Sequence, residues 1–544
     1  MSEKNGRVPR FVIILALGTF VVVLDTTFMN VSITALVQDL NTTVDKIQGA
    51  TALNALLMAV FVLMGGKMGA VLGMKRSFLL GVLLTIGGSL VASVANNLGV
   101  FVLGWCLIQG LGAAFMMPNI QSLVRTNVGG EARAKSYGTL GGVNALGAAV
   151  GPIIGGFLTA YLSWRWAFRV EMLVLAGVLL LSGAIPKDAR EGKPSSLDWM
   201  GVILQAVGLI LIVLGILLAD THGFVIAAQP LTIGAVSLTP FGLAPTVLFV
   251  GWGILFLFLF ASWQRRRERE GQTVLVHLDL FKNLGFTNSL LVRTFMVMVN
   301  VGLLFVFPLF LQVTHGLNAL QTGLIVLPFS LTVIVMVPVS VRFATRFPPR
   351  SVVRVGWLIA TLGGVIIVGM LQFGEEPVHL IPGVIVFAFG ISMVVSQMAN
   401  FVMSSVRAEE APEASGVMST FEQVGNSLGI ATLSAILAIG LTQGAIALTK
   451  DSQVLPAELK TEIIAGIEDT NQVDMVDNIT IYQAARAQDF SEEVNREIVT
   501  LYHTARENAF QITTLAVAFI CLVGFFLSGG LPRKTLAELT AAEG

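Results

Sequence analysis

Cysteine is almost absent from this sequence: of 544 residues only Cys106 and Cys521 carry a thiol, and both lie inside apolar stretches. That excludes a disulfide framework and a cysteine-based zinc site. Charge is scarce as well. Only 12% of residues are charged, about half of the ~25% usual in a soluble domain. Lys+Arg and Asp+Glu both number 33, so nothing in the balance draws a nucleic acid. The histidines, His222, His277, His315, His379 and His503, are dispersed in loops and set no metal-ligand spacing. No GxxxxGKS/T loop is present, so ATP does not drive the protein directly. A nucleophile elbow and an HExxH helix are missing too. An enzyme is therefore the weakest reading, and neither a cofactor nor a metal is expected.

What fills the chain instead is apolar sequence, 55% of all residues. So little charged surface cannot cover so large a core in water, which makes this a polytopic membrane protein. A spanning helix needs about 20 predominantly apolar residues. Fourteen segments qualify, starting near Phe11, Ile47, Phe78, Leu98, Gly138, Trp166, Trp199, Val247, Phe286, Leu320, Ser351, Leu380, Ala414 and Ala509. The first is too long for a signal peptide and is read as a retained span. With a cytoplasmic N-terminus, 24 of the 33 basic residues fall on the inner side, as the positive-inside rule requires. A missed span would reverse that pattern beyond the error. Both termini are therefore expected in the cytoplasm.

The stretch from about 446 to 506 is the one sizeable polar piece. It holds eleven acids between Asp451 and Glu497. Segments Ala457–Ile467 and Ser491–Ala505 are amphipathic, which predicts short helices on the outer surface. A solvated cap joining two spans explains this composition, and a partner-docking or cation-attracting surface is the alternative.

In the fifth span, Gly147, Gly151 and Gly155 recur every four residues and form a smooth helix face, while Pro152 bends the helix and Gly156 follows. The full GxxxGPxxGG pattern resembles the antiporter motif of the major facilitator superfamily, in its fourteen-helix drug/proton antiporter branch. Other motifs fall in the right order. Leu24-Asp25-Thr26-Thr27-Phe28-Met29-Asn30-Val31 is similar to the first-helix LDxTxxNV run. Gly66 to Gly69, with Gly73, Lys75 and Arg76, sits where the basic loop between helices two and three belongs. Gln109 to Ala114 with Pro118, the Ser163–Phe168 SWRWAF run and Leu197-Asp198-Trp199 follow.

This resemblance implies an all-α major facilitator fold: two six-helix bundles, with spans seven and eight inserted between them. The bundles would be residues 1–185 and 286–544, the second including the long external loop, and the insertion 186–285. It also implies alternating access about a central site. Three departures matter. Where the loop motif carries an Asp-Arg pair stand Ala70 and Val71, and where the fourth-helix motif carries a buried Arg stands Cys106. The latch on the cytoplasmic side must then differ, and conventional proton coupling is in question.

Ionisable groups inside spans cost at least ~2.5–3.5 kcal/mol each, so they are functional candidates. Asp25, near mid-membrane, is the leading proton carrier or cation site, against a purely structural carboxylate bonded to Thr26. Glu422 and Arg293 could neutralise each other across the second bundle, or Arg293 could snorkel to the surface. Glu171 is a further proton candidate, or an outer-interface residue beside Trp164 and Trp166. Asn30, Asn300, Gln312, Gln397 and Asn400 could shape a substrate cavity, although such residues more often make interhelical hydrogen bonds.

The sequence thus points to a secondary exporter of amphipathic or cationic organic compounds in exchange for protons, in a prokaryotic cytoplasmic (inner) membrane. An exporter or uncoupled facilitator of a lipid, siderophore or metabolite competes with it. A transport-inactive sensor or assembly partner is the alternative of another class.

Overall fold

The structure, a computed structural model, describes residues 8–531 apart from 129, 187–197, 224, 228–230, 234–235, 238, 240–241, 372–375, 407–410, 471–472, 474, 477 and 489. Among the described residues fourteen long helices carry the chain. The first six are α1 (Arg10–Val31), α2 (Val44–Leu72), α3 (Met74–Ser93), α4 (Leu98–Asn127), α5 (Gly130–Tyr161) and α6 (Arg165–Leu181). A pair follows, α7 (Trp199–Leu217) and α8 (Pro245–Arg269). The last six are α9 (Leu284–His315), α10 (Ala319–Arg346), α11 (Pro349–Met370), α12 (Ile381–Ser404), α13 (Ala411–Asp451) and α14 (Glu492–Leu527).

Among the described residues thirteen helices are long and apolar enough to cross a membrane, and α5 adds the apolar stretch Val150–Tyr161 within its 32 residues. Helices satisfy their own backbone hydrogen bonds, which a hydrocarbon solvent demands. Their outward faces carry large apolar side chains, such as Leu180 at 86% exposure and Phe526 at 73%. The chain is an all-α polytopic membrane protein.

Packing sorts the helices into two groups of six. In the first, α1 lies on α5 and α6, and α3 on α4 and α6, with α2 against α4. In the second, α11 packs on α12 and α14, and α9 on α13 and α14. Two seams join the groups, α2 to α13 and α5 to α10. The inserted pair stands apart. Helix α7 contacts both α2 and α13, and α8 packs on α7 from outside. Asp198 clamps the pair at one end, accepting from Gly201 N (3.0 Å), Trp263 Nε1 (3.0 Å) and Gln264 Nε2 (2.7 Å). Between α7 and α8 a small antiparallel hairpin pairs Thr232–Ile233 with Val236–Ser237.

Short helices Ala457–Thr470 and Asn478–Arg486 cap the end where α13 stops and α14 starts. The last span differs from the expected one, since α14 begins at Glu492 rather than near Ala509. No Gly or Pro interrupts residues 491–509, so the amphipathic segment and the span form one helix, capped by Ser491. Buried Arg506 ties the cap to the bundle, donating to Val313 O at 3.0 Å and also to Val476 O and Asn478 Oδ1.

Candidate functional site

The helix-five glycines show how close packing creates the site. A Cβ on Gly147 would press on Val23 at 3.3 Å, one on Gly151 would overlap Thr27 Oγ1, and one on Gly155 would meet Phe28 Cβ at 2.6 Å. The glycine face therefore seats α1, the helix that carries Asp25. Pro152 and Gly156 point the other way, across the seam. A Cβ on Gly156 would reach Ala319 O at 2.6 Å, and one on Gly323 would reach Pro152 O at 2.6 Å. Helix α5 thus touches the Asp25 helix on one side and the second bundle on the other.

Asp25 is buried, at 5% exposure, although Thr26 beside it is exposed. Both its carboxylate oxygens accept from Trp105 Nε1, each at 3.0 Å. Glu171 reaches the same place from α6 and is fully buried. Ser89 Oγ donates to Glu171 Oε2 at 3.1 Å and Gln109 Nε2 donates to it at 3.2 Å. Trp105 and Gln109, one turn apart on α4, thus hold the two carboxyls from one helix, Trp105 on Asp25 and Gln109 on Glu171. No N–H or O–H donor reaches Glu171 Oε1 among the described residues, which leaves that oxygen free to take up a proton. The reading of Glu171 as an outer-interface residue is overturned, because α6 turns it inward. A cavity of ≈ 10 Å³ adjoins Asp25, lined also by Asn54, Thr85 and Gln109; that is room for about one water.

Trp105 and Gln109 owe their placement to a π-helical segment, Val102–Gln109, inside α4. Such segments are rare and concentrate at functional sites. Asn54 Nδ2 donates to Trp105 O at 3.0 Å, and the Cys106 thiol to Ala50 O at 3.1 Å. Cys106 therefore fills the expected arginine's position with a small, neutral bond to α2. Trp105 and Ser89 were not among the expected site residues. The available signal was a pair of hydrogen-bonding side chains four apart, Trp105 and Gln109, in an otherwise apolar run.

In the second bundle Arg293 Nη2 meets Glu422 Oε2 at 2.8 Å. The pair spans α9 and α13, so Arg293 is held inside rather than snorkelling. Asn30 and Asn300 are half-buried on α1 and α9. Gln312 bridges the bundles at the cap end, accepting from Thr34 Oγ1 at 2.6 Å and donating to Val31 O at 3.1 Å. Gln397 is buried and donates to Ser396 Oγ at 3.0 Å. The side chain of Asn400 lies outside the described residues, as does that of Ala70.

The basic loop motif is local structure here. Gly73 has φ 93°, open to glycine at little cost, and turns α2 into α3. Gly66 lies near Pro118 of α4. Lys75 Nζ donates to Ile185 O at 2.7 Å and Arg76 is exposed. Among the described residues no group of His, Cys, Asp or Glu could hold a metal ion.

Comparison with known proteins adds the family. Residues 15–430 match the family model for the Major Facilitator Superfamily. The tetracenomycin C resistance and export protein of Streptomyces glaucescens is 26% identical over 505 residues, covering 92% of this chain and 88% of that protein. The puromycin resistance protein pur8 of Streptomyces alboniger is 30% identical over 431 residues, covering 78% and 80%. Among solved structures, the peptide transporter POT in complex with sulfate superposes with a TM-score of 0.59 at 12% identity, over 97% of this chain and 96% of that one. The buried acids, the α5 seam and the two six-helix groups are thus parts of a transporter, and the chain belongs to the major facilitator superfamily.

Proposed function

We propose that this protein exports amphipathic or cationic organic compounds in exchange for protons. The observation that carries the reading is the Asp25–Glu171 pair: two carboxyls buried inside the first bundle and held by neutral donors alone, Trp105 on one and Ser89 and Gln109 on the other. A buried carboxyl pair beside a helix that contacts both bundles suits alternating access. Residues 1–185 and 286–544 would rock as the two bundles, with 186–285 carried at their edge. The relatives named for resistance and export support an organic substrate. In this reading the cap faces outward and both termini lie in the cytoplasm, the membrane being a prokaryotic inner membrane. Arg293 and Glu422 form a second charge pair that opens as the site loads. Asn30 and Asn300 offer polar contacts to the passenger, and Gln397 braces the second bundle beside it.

The deciding experiment is proton release from detergent-solubilised protein on adding lipophilic cations such as tetraphenylphosphonium. Release is expected from the wild type and lost in Asp25→Asn. Cation binding without any release would replace exchange by uncoupled facilitation, to which Ala70, Val71 and Cys106 already lean.

A further inference from the structure

The family pattern places an arginine where this chain has Cys106, yet Asp25 is not left without a donor. Trp105, one residue earlier, supplies an indole N–H equidistant from both carboxylate oxygens. The π-helical turn makes this possible, because its wider winding shifts the side chains of Val102–Gln109 around the helix. Trp105 is fixed on the side away from Asp25. It is 1% exposed, and its ring lies 5.3 Å from that of Phe101. Its carbonyl accepts from Asn54 of α2. Cys106 bonds Ala50 O on the same turn of α2. Between these two contacts, Ala52 O accepts from Ser427 Oγ of α13 at 3.0 Å, across the seam between the bundles.

We propose that Trp105 takes the place of the missing arginine, and that its N–H passes the charge state of Asp25 through the π-helical segment and α2 to the α2–α13 seam. This rests on the proton-exchange reading above and gives it a moving part. An indole N–H can only donate. It bonds an ionised carboxylate strongly and a protonated one weakly. When Asp25 takes up a proton from water, one of the two equal acceptors becomes a hydroxyl and the clamp on Trp105 loosens. The segment Val102–Gln109 can then rewind, carrying the Asn54 and Cys106 contacts with it. Leaving of the proton reverses the change. The titratable groups facing Asp25 are Glu171 from α6 and the Cys106 thiol from α4. The neutral Asn54 and Ser89 come from α2 and α3. Helix α5 presents glycines, and Arg293 and Glu422 of α9 and α13 are paired with each other. A neutral donor also lets a proton bind the carboxyl pair, where an arginine would compete with it. Trp105 is thus a positioning residue, acting through Asp25.

The test uses full-length protein in nanodiscs, spin-labelled at Val71→Cys and Phe347→Cys. Both positions are exposed, one on each bundle, and the native Cys106 and Cys521 are buried. The wild-type label distance is expected to change between acidic and alkaline buffer. Trp105→Phe keeps a ring but loses the N–H. It is expected to lose the pH-driven distance change and to move the midpoint of tetraphenylphosphonium-evoked proton release by roughly tenfold in proton concentration. Ser427→Ala removes only the bond to Ala52 O across the seam; it is expected to keep proton release and reduce the distance change, and it decides alone should Trp105→Phe not fold. A wild-type midpoint together with a wild-type distance change in Trp105→Phe overturns the proposal. Proton release persisting in Asp25→Asn would take the exchanged proton away from Asp25 and overturn this proposal while exchange itself stands, whereas cation binding without release in the wild type would sink the proton-exchange reading.

Discussion

Glu171 is the residue on which the chemistry of the buried pair can be separated from its packing. Its Oε2 accepts from Ser89 and Gln109, and its other oxygen has no donor among the described residues. Glutamine fits this place: its carbonyl can accept from Ser89 and Gln109, and its amide can donate to Asp25. Glu171→Gln is therefore expected to keep its melting stability to within about 1 kcal/mol while abolishing cation-evoked proton release. Glu171→Ala, which opens a cavity and orphans two buried donors, is expected to cost about 2–4 kcal/mol. Thermal melts in detergent, run beside the proton-release assay, check both. A Gln variant as damaged as the Ala variant would make Glu171 a packing residue. At this scale the sequence disclosed the acids but not their company. Asp25, Glu171, Arg293 and Glu422 stand out as charges in apolar runs. That Asp25 meets Glu171, across 146 residues of chain, depends on α1 and α6 sharing a face, which no local pattern encodes. Trp105 stayed hidden because tryptophan in a span is ordinary and a π-helical turn has no simple sequence signature.

Helix α5 shows the same logic at the scale of an element. Its glycines are spaced for one face, and that face was legible; which neighbour it seats was not. The contacts assign Gly151 and Gly155 to α1 and Gly156 to α10. Gly151→Ala and Gly155→Ala each force a methyl against Thr27 or Phe28, and overpacking of this kind costs typically 1–3 kcal/mol. Gly142→Ala, in the same helix with nothing within 4 Å of the added atom, is expected to be neutral or slightly stabilising. Melting temperatures of the three variants test the assignment, and equal effects would refute it. Helix α14 marks the limit of reading elements from hydropathy. Residues 492–508 are amphipathic and 509–527 apolar, so the change in character suggested two helices. Helical continuity is set by the lack of a breaker instead, and a single 36-residue helix results.

For the whole molecule, the hydropathy and charge pattern carried the fold a long way, because a bilayer forces each apolar run into a spanning helix. It could not carry the state in which the bundles are caught. At the cap end they are tied together. Gln312 of α9 holds Val31 O at the end of α1 and Thr34 just beyond it, and Gly156 and Gly323 let α5 and α10 touch backbone to backbone. Opening toward the cap must break the Gln312 bonds and part the α5–α10 contact, whereas opening at the other end need break neither. Two net hydrogen bonds are worth about 1–3 kcal/mol together, so Gln312→Ala is expected to raise the cap-open population by roughly tenfold or more. A cysteine placed on the bundle side of this tie, at Asn30, reads the shift as faster labelling by a membrane-impermeant maleimide added from the cap side. Thr34→Val breaks one of the two bonds and is expected to give a smaller increase. If labelling at Asn30 is unchanged in Gln312→Ala, the closure rests on the glycine seam, and Gly156→Leu becomes the substitution that should hold the bundles apart.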